Sequence, residues 1–167
     1  MKKVSKFAKS IITNKTRNEM KRRILMRVSA VMLLILSGFS MGASAVNCED
    51  AVDKICKAYG SMIRAVVECD NINDFDAISI DDAIMEDLNE IDDGCKDYVL
   101  TDLNRAQLDG AFNSFVAAMC QKLYEFTGGI LSYSDIEKEM SPMTDKHRKI
   151  VNNSRTLEDY INGINDF

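Results

Sequence analysis

The chain predicts an all-α fold: an antiparallel, up-down-up-down four-helix bundle with a short second helix and two disulfides. Three observations lead there. Apolar residues recur three and four apart over four stretches, and glycine, the lone proline and capping residues separate those stretches. All five cysteines follow a leader that addresses the chain to an oxidising compartment.

The first helix is expected over about Glu49 to Cys69, where Val52, Ile55, Tyr59, Met62, Val66 and Cys69 form one stripe that must be buried. Asp70 to Ala77 is polar and turn-rich. Ser79 then offers a cap, and Ile80, Ile84, Leu88 and Ile91 line a second helix that Asp93-Gly94 stops. Thr101 or Asp102 caps the third, whose stripe is Leu108, Phe112, Phe115, Met119, Leu123 and Phe126, and Gly128-Gly129 ends it. The fourth is expected after Ser134, with Glu137 completing a capping box and Ile136, Met140, Met143, His147, Ile150, Leu157, Ile161 and Ile164 facing inward. Pro142 removes an amide donor from this run and clashes one turn back, so a kink or a short separate turn is expected before it.

Charge divides the chain differently. Residues 1–45 hold ten of the 21 basic residues and one of the 26 acidic ones, so residues 46–167 keep 11 basic and 25 acidic side chains, a formal charge of −14. An acidic body of this kind repels phosphate backbones and excludes nucleic-acid binding as a function class. The basic head belongs to an export signal counted from Met20: Lys21, Arg22, Arg23 and Arg27, an apolar stretch from Val28 to Phe39, then Ala43-Ser44-Ala45. Ala43 and Ala45 present the small side chains a signal peptidase admits, which sets residues 1–45 apart from one acidic helical domain over 46–167. The alternatives are an uncleaved anchor and a lipoprotein acylated on Cys48; membrane contact is expected only through one of these.

Helical rise decides the cysteine pairing. Cys56 and Cys69 share one helix and are about 20 Å apart, beyond the roughly 7 Å that a disulfide spans between α-carbons. If the first and third helices ascend and the second descends, Cys69 meets Cys120 and Cys56 meets Cys95, leaving Cys48 over. The spacings of 8, 13, 26 and 25 residues contain no close pair of the zinc-ligand type.

The most distinctive surface is acidic: eleven carboxylates between Asp70 and Asp97 stand against Lys96 alone. Asp82, Glu86, Glu90 and Asp93 stack like charges three and four apart along the second helix, which makes them candidates for docking a basic partner. An EF-hand is rejected because Ile72, Phe75 or Ile78 interrupts each possible oxygen-ligand register. His147, the single imidazole, sits on the inward stripe with no nucleophile motif around it. Gly-rich phosphate loops, paired-histidine motifs and a Gly-x-Ser-x-Gly elbow are absent from the sequence. The expectation is therefore a non-enzymatic, exported binding protein without a cofactor, an inhibitor or immunity-type protein for a basic protein or peptide. A ligand carrier built around Met62, Phe115, Met119 and His147 is the second reading, and an envelope protein anchored or cross-linked through Cys48 the third.

Overall fold

A computed structural model describes residues 48–71, 91 and 94–165. Among them the chain is all-helical, with four α-helices and no strand: α1 (Ala51–Glu68), α2 (Asp102–Thr127), α3 (Tyr133–Asn153) and α4 (Leu157–Asn165), preceded by a 3-10 turn at Cys48–Asp50. The leader, including Ala43 and Ala45, and the segment carrying Asp82, Glu86, Glu90 and Asp93 lie outside the described residues. Of the expected second helix, Ile91 is helical and 1% exposed, and the Cys95 amide donates back to the Ile91 carbonyl at 3.1 Å, closing a helical turn at Gly94. No described helix is long and apolar enough to cross a membrane.

The α1 stripe is buried from Val52 to Cys69 as its spacing requires. In α2, Thr101 is the cap: its hydroxyl accepts from the Asn104 amide while Asn104 Oδ1 accepts from the Thr101 amide, both at 3.1 Å. Leu108, Phe112, Phe115, Met119 and Leu123 are buried, and Gly128 ends the helix at φ 54°, a left-handed conformation that favours a residue without a side chain. Contacts fix the relative directions. Asp53 meets Gln107, Tyr59 meets Phe112 and Phe115, and Val67 meets Lys122, so α1 and α2 run the same way. Asp109 meets Arg148 and Tyr124 meets Tyr133, so α3 returns antiparallel along α2.

The last expected helix is two helices. It breaks at Ser154–Thr156 and continues through Pro142, the reverse of the expectation. The Lys138 carbonyl, which loses its amide donor to Pro142, accepts the Ser141 hydroxyl at 3.3 Å instead. Ser154 turns to extended backbone with its hydroxyl on the Ile150 carbonyl at 2.7 Å. A strap at residues 96–100 then takes up the backbone groups freed at the break. Leu100 N–H donates to Arg155 C=O, Leu157 N–H to Tyr98 C=O and Glu158 N–H to Lys96 C=O, at 3.0, 2.9 and 3.1 Å. Thr156 and Asp159 restart the chain as α4 with reciprocal cap bonds of 2.9 and 3.2 Å. The start of α3 is also shifted: Ser132, not Ser134, accepts the Asp135 amide, so Glu137 takes no part in capping.

The disulfide scheme is corrected as well. One bridge is present, Cys48–Cys95, with α-carbons 5.4 Å apart. Cys56, Cys69 and Cys120 remain thiols. Height along the helix misplaced Cys95, which was expected level with Cys56, and direction around the helix misplaced Cys120. Cys120 lies a third of a turn from Met119 and lines the α2–α3 boundary, while Cys69 closes the end of α1 with its thiol 3.1 Å from the Asn71 carbonyl. Cys95 lies at the level of the turn before α1, within reach of Cys48 and below Cys56. A sulfur held in this bridge is not available for an acyl chain or an intermolecular link.

Candidate functional site

Two constellations hold the polar chemistry of the described residues. The first is buried where all four helices meet. His147, 0% exposed on α3, stacks on Phe112 with ring centroids 3.9 Å apart and planes 5° from parallel. Its Nε2 lies 3.1 Å from the Tyr160 hydroxyl on α4, which lies 3.0 Å from the Tyr59 hydroxyl on α1. Its Nδ1 faces Asp109 Oδ1 on α2 at 3.6 Å, too long for a hydrogen bond, and among the described residues neither atom makes one.

The tautomer sets the direction of this series: with the proton on Nδ1, facing the Asp109 carboxylate, Nε2 accepts from Tyr160 and Tyr160 from Tyr59; with the proton on Nε2 both bonds run the other way. Burial pushes the His147 pKa down to about 4, against the pull of the Asp109 carboxylate, so the ring is neutral at pH 7. Burial likewise raises both tyrosines well above their ordinary value and keeps their protons on. A carboxylate, an imidazole and a hydroxyl in series are the parts of a nucleophile-activating relay. Here the hydroxyls sit on residues only 3% exposed, so what the series does best is orient four helices around one ring.

The second constellation is a pocket of about 290 Å³ between α2 and α3. Val116, Ala117, Cys120 and Met140 give it apolar walls, and Asn113, Tyr133, Glu137, Ser141 and Thr144 supply its polar groups. Burial and the nearby Glu137 carboxylate raise the Cys120 thiol to about 11, and burial with Asp53 does the same for Cys56. Neither is a thiolate at neutral pH, so neither is an activated nucleophile or a ready metal ligand. No cluster of three or more metal-ligating side chains occurs among the described residues.

The residues expected to line a ligand cavity, Met62, Phe115, Met119 and His147, are all in the core and at most 2% exposed. Both His147 nitrogens face protein groups, Nε2 the Tyr160 hydroxyl and Nδ1 the Asp109 carboxylate. Asp109 and Tyr160 escaped notice in the sequence because each stands one residue from an apolar stripe position, Leu108 and Ile161. A polar residue beside a stripe is ordinarily solvated; the signal was the single histidine, which once buried requires partners. Comparison with protein-family models, curated proteins and solved structures gave no match to this chain.

Proposed function

We propose that residues 46–167 form an exported, non-enzymatic binding module that attracts a basic protein or peptide, with the inhibitor or immunity type as its sharpest form. One observation carries this reading: 25 acidic side chains against 11 basic ones in this part of the chain, with eleven of the acids between residues 70 and 97. Such an excess speeds encounter with a cationic partner and makes association salt-sensitive. The sealed His147 relay and the protonated thiols support binding over catalysis, because they offer a substrate no activated group. In the proposed arrangement residues 79–93 are the descending second helix of an up-down-up-down bundle and carry the acidic face of Asp82, Glu86, Glu90 and Asp93. The Cys48–Cys95 bridge suits an oxidising compartment. The test is the affinity of the purified protein for an oligo-arginine peptide as salt rises. Binding should weaken roughly tenfold between about 50 and about 200 mM salt; absent binding, or binding indifferent to salt, overturns the reading.

A further inference from the structure

The α2–α3 pocket has a donor–acceptor balance that selects its occupant. The Asn113 amide nitrogen donates to Asp109 Oδ2 at 3.1 Å, and because a carboxylate only accepts, the orientation of the amide is settled and Oδ1 is left as an acceptor. The Ser141 hydroxyl donates to the Lys138 carbonyl at 3.3 Å, and the Thr144 hydroxyl to the Ser141 carbonyl at 2.8 Å. One Asn113 N–H and the hydroxyl protons of Ser141 and Thr144 are thus spent inside the protein, while the oxygens of all three side chains remain able to accept. Glu137 is exposed and, among the described residues, makes no ion pair or hydrogen bond. Tyr133, 37% exposed, presents its ring at the same mouth, with Tyr124 edge-on to it at 6.3 Å.

Acceptors, a carboxylate and an aromatic face over apolar walls match a side chain with an apolar stem and a planar, donor-only cationic head. A pocket of about 290 Å³ suits one such side chain better than a drug-sized ligand, which fills several hundred Å³. We propose that this pocket receives an arginine side chain of the basic partner. Val116, Ala117 and Met140 take the methylenes, Glu137 pairs with the guanidinium, and Tyr133 stacks on it. The proposal rests on the basic-partner reading and adds a site to it on the opposite side of α2 from α1.

The experiment compares an oligo-arginine peptide with its citrulline counterpart, which keeps the shape and loses the charge, on the wild-type protein and three variants. Glu137→Gln should weaken arginine-peptide binding about tenfold, while Glu158→Gln, which removes an equal charge from exposed α4, changes it less than about twofold. Ala117→Met, which fills the pocket without altering charge, should match the loss in Glu137→Gln, and the citrulline peptide should bind none of them measurably. Equal losses in Glu137→Gln and Glu158→Gln, or full binding by Ala117→Met, would overturn the pocket and leave the basic-partner reading standing. Failure of the arginine peptide to bind the wild-type protein would overturn both.

Discussion

The two ends of the helix stack are closed by different means. At the end where α1 and α2 begin, the closures join residues far apart in the chain: the Cys48–Cys95 bridge, the strap of residues 96–100 on 155–158, and the Arg105 guanidinium on the Ser154 carbonyl at 3.1 and 3.2 Å. At the other end α2 turns into α3 through Gly128-Gly129, and the closures are lighter: the local Tyr124–Tyr133 edge contact and one longer-range bond, Lys122 on the Val67 carbonyl at 2.8 Å. That end also exposes Val67, Ile130, Tyr133 and Tyr124 and carries Cys69 and Cys120 as thiols. Stability at the first end depends on several ties between distant segments, a covalent one among them, whereas the second rests on the α2–α3 hairpin and the single Lys122–Val67 bond. Among the described residues the bridge therefore acts at one end only.

The largest effect should come from breaking that bridge. It closes a loop with a sequence separation of 47, for which chain entropy gives at most about 4 kcal/mol. Cys95→Ala, or reduction of the wild-type protein, should lower the denaturant midpoint accordingly, while Cys69→Ala and Cys120→Ala each shift it by about 1 kcal/mol or less. If either of the last two matched Cys95→Ala, a second bridge would be present and the asymmetry of the ends would be gone.

Between the ends lies the His147 relay, which ties all four helices and responds to acid. The folded ring titrates near 4 because it is buried, and the unfolded ring near its ordinary 6.5. Between those values the unfolded chain binds a proton that the folded chain does not, so stability falls as pH drops from 6.5 towards 4. The groups facing the ring are Asp109, which opposes this, and Arg148, which reinforces it, together with the protonated Tyr59 and Tyr160. His147→Gln should be less stable at pH 7 and should lose this slope in denaturant titrations at a series of pH values. Wild-type and variant curves that stay parallel would assign the acid sensitivity to other groups.

What the sequence made legible follows the same division. The apolar stripes of α1 and α2, the glycine stop at Gly128 and the inward position of His147 were readable because each is a local pattern of period and propensity. The bridge, the strap and the break at Ser154 were not, since they depend on where distant residues meet. Cys48 and Cys95 carry no mark of each other, and Ser154 breaks a continuous apolar period where the Leu100 amide donates to the Arg155 carbonyl and the Arg105 guanidinium to that of Ser154. Pro142 misled for a related reason: the rule for proline counts the lost amide but not a serine one residue earlier that satisfies the stranded carbonyl. The pocket was illegible because its acceptors come from two helices, and Glu137 read as a capping residue.

The smallest predicted effects sharpen the comparison most, because they separate local closure from distant closure within one helix start. Thr156 caps α4 at the bridged end and Ser132 caps α3 at the other, each accepting a backbone amide three residues on, at 3.2 and 3.1 Å. The Asp159 carboxylate, drawn below its usual range by the Thr156 and Arg155 amides, holds the first cap from the opposite side. A cap acts within its own turn, so Thr156→Ala and Ser132→Ala should each cost about 1 kcal/mol, read as shifts in thermal midpoint. Equality is the informative result, since it means the bridge adds nothing to the α4 start. A loss several times larger for Thr156→Ala would show that the strap, the cap and Tyr160 dock as one unit, and reduction of the bridge should then bring the two variants back to the same cost.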